Sequence, residues 1–369
     1  MFFYFSLAAI LFIISLYCSA KEVRINTGTL GLGKTLCFIF VLFIIVLGGI
    51  RWETGTDWVS YYNYFNENNT YRQFSGNFEF FYSLLNYIIK RSIGSYTALL
   101  FILSFFVIFL TYKTINRIAL YPCISFFLFF CNNIGGMFPT RQTLAVAIAI
   151  TSIYYIQKKN KLAFILITLI SAFFHYALLL WFLSYYIYHK EISSRIIVFL
   201  FLLSIGIGVF TPEILKFIIN ETLIRFNISG YISLRIQHYI LSYSSDGSFS
   251  IIRMFFSIAR RVIFIPFFLI LKNKMSEKYI YTNGLINLYA FGNIILSLFI
   301  YGNFAPMTRM VTVFNFTEVL LLPVILNVIK DNNIKYIFLI LLFIYGLMKL
   351  YFAVDIYYDL FIPYKTNLF

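Results

Sequence analysis

The sequence predicts an all-α polytopic membrane protein, and three observations support this fold class. Of the 369 residues, 61% are hydrophobic and only 12% are charged, whereas about 25% of the residues in a soluble domain are charged. Apolar runs long enough to cross a bilayer recur along the whole sequence. Lys and Arg concentrate in alternate loops between these runs. We therefore expect residues 1–369 to form a single transmembrane domain.

Apolar periodicity and length predict about twelve transmembrane helices. The first run has no basic segment before it and no small-residue cleavage site after it, so it is interpreted as a retained span rather than a signal peptide. The predicted spans are residues 1–20, 35–50, 95–112, 119–137, 141–157, 162–174, 176–188, 195–211, 251–271, 280–300, 308–329 and 335–354.

The distribution of basic residues predicts the orientation. The six loops that follow the odd-numbered spans contain 15 of the 29 Lys and Arg residues but only four acidic residues. Placing these loops in the cytoplasm satisfies the positive-inside rule and puts both termini outside. The net charge of +15 then reflects topology and an anionic lipid-linked partner, and nucleic acid is not an expected partner.

Residues 162–188 are predicted to form a broken-helix hairpin. Lys161 and Lys190 should both face the cytoplasm, so the segment between them must cross an even number of times. Two short helices that meet near His175 satisfy this requirement, because irregular backbone is tolerated at membrane depth where protein or a cavity covers it. A single tilted helix, which would place Lys190 outside, is the alternative.

Two long external segments, residues 51–95 and 211–250, are expected to cover the functional site, which places the chemistry on the outer face. The first contains apolar residues at helical spacing and predicts an external interfacial helix near residues 78–92. Those apolar residues are Phe78, Phe81, Tyr82, Leu85, Ile88 and Ile89.

Arg253, Arg260 and Arg261 lie in the predicted span 251–271, where charge is costly. An arginine at the centre of a span costs about 2.5–3.5 kcal/mol on insertion scales, so its presence needs a reason. One interpretation is structural pairing with an acid such as Glu318, which is also mid-span. The other is that the arginines bind a lipid diphosphate, since one carboxylate cannot neutralise three guanidinium groups.

Two further arginines open predicted spans. Arg141 and Gln142 follow Pro139, and Arg309 follows Pro306. The free N–H groups and positive dipole end of a helix N-terminus make each place suitable for an anion. Snorkelling of the arginine towards lipid headgroups is the alternative for each one.

His175 and the segment Arg51–Trp58 supply the remaining candidate residues. A neutral imidazole in a cavity wall can act as a base or hydrogen-bond a sugar hydroxyl, although a lone histidine in an apolar run is often a core residue. In the second segment, Arg51 and Asp57 flank Gly55 and suggest a tight loop that positions a carboxylate. Tyr61, Tyr62 and Tyr64 follow, and their rings could stack on sugars or line the interface.

No metal or other cofactor is expected. The sequence has four cysteines without a C-x-x-C spacing and three histidines without an H-E-x-x-H pattern, so it lacks the usual signatures of a zinc site. The cysteines, which we interpret as small core residues, are Cys18, Cys37, Cys123 and Cys131.

Four ordered motifs resemble the EpsG family of capsule and exopolysaccharide polymerases. The first is an R…G-x-D…Y…F pattern after an early span, the second is R-Q-x-L-A, the third is F-H-x-[SA]-A and the fourth is a late R-x-x-x-[YF]. They correspond here to Arg51, Gly55, Asp57, Tyr61 or Tyr62 and Phe65, then to Arg141–Ala145, Phe174–Leu178 and Arg309–Phe314.

The resemblance implies a metal-independent glycosyltransferase similar to the Wzy polymerases, in the bacterial cytoplasmic membrane. Such an enzyme joins undecaprenyl-diphosphate-linked oligosaccharides, which serve as donor and acceptor, and its partners include membrane lipids and a chain-length regulator protein. Catalytic roles are then expected for Asp57, His175 and Arg260. Substrate contacts are expected for Arg51, Arg141, Gln142, Arg253, Arg261, Arg309 and Glu318.

Two other functions remain open from the sequence. A lipid-linked oligosaccharide flippase would also use intramembrane arginines, but it should show two similar halves, and the chain has no internal repeat. A transferase of the O-antigen ligase kind would use the same donor with a different acceptor.

Overall fold

The computed structural model describes residues 1–22, 31–76, 78–225, 251–274, 280–299 and 305–367. This part of the chain is helical and contains no β-strand beyond one isolated bridge between Arg51 and Thr366. The α-helices are α1 (Phe2–Glu22), α2 (Gly31–Ile50), α3 (Trp58–Glu67), α4 (Tyr71–Phe74), α5 (Phe80–Ser92), α6 (Tyr96–Ile118), α7 (Pro122–Asn133), α8 (Arg141–Gln157), α9 (Lys161–Phe174), α10 (Ser184–His189), α11 (Ser194–Arg225), α12 (Ile251–Lys274), α13 (Ile280–Ser297), α14 (Ala305–Leu321), α15 (Ile325–Val328), α16 (Asn332–Asp355) and α17 (Tyr358–Phe361).

Five helical segments of the described chain are long and apolar enough to cross a membrane. Other apolar helices are shorter than the roughly 20 residues that a bilayer core requires. The all-α fold class is therefore confirmed, while the total of about twelve spans stays a prediction. The five segments are Leu32–Ile50, Tyr96–Ile118, Ser194–Thr211, Met307–Val328 and Asn332–Asp355, and the shorter apolar ones are Phe2–Cys18, Pro122–Gly136 and Lys161–Phe174.

The first of two compact units comprises Met1–Phe182 and Glu318–Phe369. In it α6 packs against α2 and α8, α8 packs against α9, and α7 packs against α1 and α16. All four cysteines are buried in this unit as free thiols, as expected for small core residues. After α16 the chain passes close to the start of α1, so the two ends of the described sequence lie near each other.

Several helix ends meet at one end of this unit. The Tyr4 hydroxyl near the start of α1 donates to the Phe361 carbonyl at 2.7 Å. The Asn367 side chain donates to Thr97 Oγ1 at the start of α6 at 3.0 Å, and its backbone N–H donates to the Ile50 carbonyl at the end of α2 at 3.0 Å. The distribution of basic loops predicts the same grouping of these ends on one side.

The predicted break at His175 is present. Helix α9 ends at Phe174, His175 is extended with φ −159° and ψ 112°, and a 3₁₀ helix follows over Tyr176–Leu183. The rings of Phe164 and Phe182 lie 6.2 Å apart between centroids, although 17 residues separate them in sequence. The segment therefore folds back on itself, as the hairpin prediction requires.

The predicted external segment 51–95 contains three short helices, α3, α4 and α5. Helix α5 matches the helix predicted near residues 78–92. Tyr82 and Ile89 of its predicted apolar face are buried, whereas Ile88 is exposed. The segment thus forms a packed cap of helices rather than an open loop.

The second unit comprises Leu183–Thr317. Within it the Tyr188 hydroxyl donates to the Tyr281 carbonyl at 2.8 Å, and the Asn287 side chain donates to the Lys190 carbonyl at 2.8 Å. These bonds attach α10 and the turn after it to α13.

The predicted span 195–211 agrees with the apolar segment Ser194–Thr211, and helix α11 itself continues beyond it to Arg225. Ile214 and Phe217 continue the helical spacing of apolar residues beyond Pro212, and the helix continues with them. The rest of the predicted loop, residues 226–250, lies outside the described part of the chain.

Candidate active site

A buried carboxylate, Glu79, joins two of the residues that the sequence singles out. Its Oε1 lies 2.9 Å from His175 Nδ1, and its Oε2 accepts a charge-assisted hydrogen bond from Arg141. Glu79 and His175 are only 6% and 7% exposed. The Arg141 guanidinium also lies 4.6 Å from the centre of the Phe78 ring, which holds it on one side.

Each member of this group occupies the end of a helix. Glu79 is the residue that precedes α5, and His175 is the extended residue that ends α9. Arg141 is the first residue of α8, after an N-cap at which the Thr140 hydroxyl accepts a hydrogen bond from the Thr143 N–H. Since α9 packs against both α5 and α8, the three side chains converge.

The group fixes the protonation state of its carboxylate. Burial by itself would raise the pKa of Glu79, but the hydrogen bond with His175 and the charge of Arg141 outweigh it and bring the pKa to about 2. Glu79 lies outside the membrane-spanning helices found above. Because its pKa is far below 7, Glu79 is ionised at neutral pH. An ionised carboxylate can only accept hydrogen bonds, so His175 Nδ1 must be the donor.

His175 Nε2 is consequently the atom with a lone pair available. It is buried and has no hydrogen-bond partner among the described residues. A carboxylate that holds the Nδ1–H of a histidine fixes the orientation of the ring and its tautomer. The arrangement can accept a proton from a hydroxyl group brought to Nε2.

Arg51 provides a second charged group beside this one. Its guanidinium is 2% exposed and donates to the carbonyls of Thr54 at 3.0 Å and Pro139 at 3.1 Å. Within the described ranges no carboxylate forms an ion pair with it, and its Nε has no partner there. A buried charge without a counter-ion is costly, so the geometry is that of an anion site.

The backbone just before α8 connects the two charged groups. Arg51 donates to the carbonyl of Pro139, two residues before Arg141. The two arginines therefore belong to one polar site, in which Arg141 has a carboxylate partner and Arg51 does not.

Aromatic rings line the same region. Trp58 stacks on Tyr62 with ring centroids 4.7 Å apart, and Trp52 meets Tyr62 edge-on at 5.5 Å. Of the three tyrosines that the sequence offers for stacking on sugars, Tyr61 and Tyr64 are buried, while Tyr62 is partly exposed. Only Tyr62 of this set has an accessible ring for such contact.

Gly55 permits the close packing around Arg51, which leads to a first prediction. Its φ is +107°, and a Cβ there would lie 2.6 Å from Arg51 NH1 and 3.0 Å from Phe138. We expect Gly55→Ala to displace the guanidinium and lower activity by about tenfold or more, because small misplacements of a binding group are costly.

The matched control for this variant is Gly94→Ala. Gly94 also has a positive φ, of +72°, but a Cβ there would meet only the Lys90 carbonyl at 3.8 Å. Both variants carry backbone strain, and only Gly55→Ala affects the arginine. Equal activities of the two proteins, normalised to folded protein, would contradict the role given to Gly55.

The low pKa of Glu79 leads to a second prediction, on stability. The pKa falls from 4.5 to about 2 on folding, so the carboxylate stabilises the fold above about pH 4.5, and this contribution is lost as the pH falls towards 2. We expect the difference in unfolding temperature between wild type and Glu79→Gln to be constant from about pH 7 to 5 and to shrink below about pH 4.5. Tryptophan fluorescence in detergent measures it, and a constant difference down to pH 3 would contradict the assigned ion pair.

Asp57 and Gln142, two other predicted site residues, lie near this group. Asp57 is exposed and directly precedes α3. Burial raises the pKa of Tyr61, and the negative charge of Asp57 adds to this increase. Gln142 is half-buried in the first turn of α8. Of the predicted site residues, the structure therefore brings Arg51, Arg141 and His175 together, with Asp57 at the edge of the region.

The other predicted arginines lie in the second unit. Arg261 on α12 is 8% exposed and donates to Ser257 Oγ at 2.9 Å and to Ser297 Oγ at 3.4 Å. Arg260 is half-buried and Arg309 is exposed, while the side chain of Arg253 lies outside the described part. Their role in binding a diphosphate stays a prediction.

Glu318 has partners within the first unit. The Tyr345 hydroxyl donates to its Oε1 at 2.5 Å, and Lys349 Nζ lies 3.7 Å from the same oxygen. Lys349 also donates to Asn132 Oδ1 at 2.9 Å. These contacts connect Glu318, α16 and α7 within the first unit, and the predicted role of Glu318 in substrate binding stays a prediction.

Sequence reasoning missed Glu79, although a signal was present. Glu79 is the one acidic residue in Phe78–Tyr82, where every other residue is aromatic. An acid within the apolar face of an amphipathic helix is costly unless it is paired, and that cost could have marked it. Among the residues that the structure describes, no cluster of His, Cys, Asp and Glu is suited to hold a metal ion.

A comparison with models of known protein families identifies a family for this chain. The model of the EpsG family matches residues 34–366, about nine-tenths of the chain. The matched region contains Arg51, Glu79, Arg141 and His175. No curated protein and no solved structure matches the chain significantly.

Proposed function

The chain belongs to the EpsG family, and from this membership and the Glu79–His175–Arg141 group we propose that it is a polysaccharide polymerase. It joins undecaprenyl-diphosphate-linked repeat units on the outer side of the bacterial cytoplasmic membrane. Family membership and the apolar helices make it a multi-pass membrane protein. The observation that carries the proposal is the available Nε2 of His175, held by Glu79 next to two arginines.

The proposed reaction is a displacement at the anomeric carbon of the donor sugar. A hydroxyl of the acceptor repeat unit gives its proton to His175 Nε2, and its oxygen forms the new glycosidic bond. The bond between the anomeric carbon and the diphosphate oxygen breaks, and undecaprenyl diphosphate leaves with the electron pair. The proton on His175 later passes to solvent, so that the enzyme returns to its starting state.

Charge neutralisation decides which arginine matters most for the leaving group. Negative charge develops on the diphosphate as the bond breaks, and positioned cations stabilise it. Arg141 already shares the charge of Glu79, whereas the hydrogen bonds of Arg51 within the described residues go to backbone carbonyls. We therefore assign Arg51 as the main diphosphate ligand and give Arg141 the additional role of holding Glu79.

Burial of the group has a consequence for the reaction cycle. Arg51, Glu79 and His175 are all less than a tenth exposed, so the site must open for a donor to enter. Closing an active site after binding excludes water, and exclusion of water would favour transfer to a sugar hydroxyl over hydrolysis. Partly exposed Tyr62 and Trp52 would meet the glycan at the edge of this site.

Purified protein incubated with synthetic undecaprenyl-diphosphate repeat units tests the proposal, with the products resolved on a gel. A ladder of glycans on undecaprenyl diphosphate is the expected result. Relocation of the lipid-linked unit across liposomes without a ladder would instead indicate a flippase. Transfer of the glycan only to a different added acceptor would indicate an enzyme of the O-antigen ligase kind.

A further inference from the structure

Residues 358–367 form a segment, here called the strap, that lies across the loop carrying Arg51. The Trp52 N–H donates to the Lys365 carbonyl at 2.9 Å, and the Gly55 N–H donates to the Leu360 carbonyl at 2.8 Å. An antiparallel bridge pairs Arg51 with Thr366. The strap therefore provides hydrogen-bond partners that the loop backbone does not find within itself.

Thr54 joins the strap to Arg51. Its buried hydroxyl accepts a hydrogen bond from the Lys365 N–H at 3.0 Å and donates to the Trp52 carbonyl at 2.7 Å. Its own carbonyl accepts the hydrogen bond from Arg51 NH1 at 3.0 Å. One residue thus connects the strap, the bend of the loop and the guanidinium.

Side chains fix the strap itself to the helix ends below it. The Tyr364 hydroxyl donates to the Leu47 carbonyl of α2, and its ring stacks on Phe3 with centroids 5.1 Å apart. The Phe361 ring lies 4.6 Å from that of Phe138, which in turn lies under the Arg51 guanidinium at 5.6 Å. The strap is therefore anchored on both sides of Arg51.

We propose that the strap is part of the donor site, and that Thr54 is a positioning residue which holds Arg51 for the diphosphate. The proposal rests on the function proposed above. The Arg51 guanidinium has two carbonyl partners and no counter-ion among the residues that the structure describes. It keeps its place only if those carbonyls are fixed, and the strap fixes that of Thr54. The family match extends to residue 366, so it includes this segment up to the residue that pairs with Arg51.

Thr54→Val tests the proposal because it removes the hydroxyl and nearly preserves the volume. We expect its dissociation constant for undecaprenyl diphosphate, and its KM for the lipid-linked donor, to rise about tenfold. Thr54→Ser keeps the hydroxyl and should restore both values to within about twofold. Thr151→Val is the matched control, since it makes the same change at a part-buried hydroxyl that donates to the Ile148 carbonyl within α8 at 2.7 Å, and it should change neither value more than about twofold.

A double-mutant cycle with Arg51→Gln separates positioning from a general loss of structure. If Thr54 acts through Arg51, the Thr54→Val and Arg51→Gln double variant should bind undecaprenyl diphosphate no more weakly than Arg51→Gln alone. If the two substitutions instead raise the dissociation constant independently, so that their effects multiply in the double variant, the proposal is overturned. Unchanged binding in Thr54→Val would overturn it as well. If Thr54→Val does not fold, Tyr364→Phe, which removes one strap hydrogen bond, takes its place in the cycle.

The outcome is distinguishable from a failure of the proposed function. If wild-type protein binds undecaprenyl diphosphate through Arg51 and Thr54 but makes no glycan, the proposed polymerase function is overturned and the proposed role of the strap stands. Wild-type protein that makes a ladder, with Thr54→Val indistinguishable from it in KM and binding, would overturn the strap alone.

Discussion

Glu79→Gln should lower the rate of glycan polymerisation by about a hundredfold to ten-thousandfold, as expected when a histidine base loses the carboxylate that orients it. The amide keeps the shape of the side chain but presents no negative charge to His175 Nδ1 or to Arg141. The imidazole can then adopt the other tautomer, with the proton on Nε2, and cannot accept a proton from the acceptor hydroxyl. The initial rate of ladder formation by purified protein measures the effect.

Glu53→Gln is the matched control for this change. Glu53 lies two residues from Arg51, but its side chain is 54% exposed and forms an ion pair with Lys365 at the surface. An exposed pair of this kind contributes roughly 0–1 kcal/mol, so we expect nearly wild-type polymerisation. If both variants retained wild-type rates, Glu79 would be a structural residue and the proposed base would lose its support.

Arg51→Lys is expected to raise the KM for the lipid-linked donor by about tenfold or more, and Arg51→Gln by about a hundredfold or more. Lysine keeps the charge, but its single ammonium cannot reproduce the fork that reaches the carbonyls of Thr54 and Pro139. Glutamine removes the charge altogether. Titration of the donor in the polymerisation assay gives KM and kcat separately for each variant.

A different arginine provides the comparison. Arg91 is exposed on α5 and lies 6.0 Å from the Tyr87 ring, so Arg91→Gln removes the same charge from the protein without touching the site. Its KM should stay within about twofold of wild type. Equal increases in KM for Arg51→Gln and Arg91→Gln would mean that net charge, rather than a diphosphate contact, governs donor binding.

Charge patterning was enough to predict the break at His175. Lys161 and Lys190 had to share one side of the membrane, and 28 residues cannot satisfy that requirement as one straight helix. The same reasoning grouped the helix ends that meet near Tyr4, Ile50 and Thr97. These inferences succeed because they depend on local sequence and on the number of crossings, which the bilayer constrains strongly.

The candidate site itself was only partly predictable. The motifs identified Arg51, Arg141 and His175, but the carboxylate that joins two of them was overlooked because Glu79 lies within an aromatic stretch that was interpreted only as an apolar helix face. The strap was beyond reach for another reason. Arg51 and Thr366 are more than 300 residues apart in sequence, and no local pattern encodes such a pairing.

The cost of placing an arginine inside a bilayer indicates that the arginines of α12 need partners, but it does not identify those partners. Arg261 is 8% exposed and donates hydrogen bonds to Ser257 and Ser297. Serines in an apolar helix give no sign of which arginine they will contact. Glu318, the acid considered as a partner for these arginines, contacts Tyr345 and Lys349 on α16.

The most direct test of the central claim is the polymerisation rate of wild type, Glu79→Gln, His175→Ala and the double variant, measured with saturating lipid-linked repeat units. If Glu79 acts only by orienting the base, the double variant should be no slower than His175→Ala, because residues that act as a unit are not additive. Binding of undecaprenyl diphosphate should be retained in His175→Ala, since Arg51 is intact. A wild-type rate in His175→Ala would contradict the account, because no base would then be required at that position.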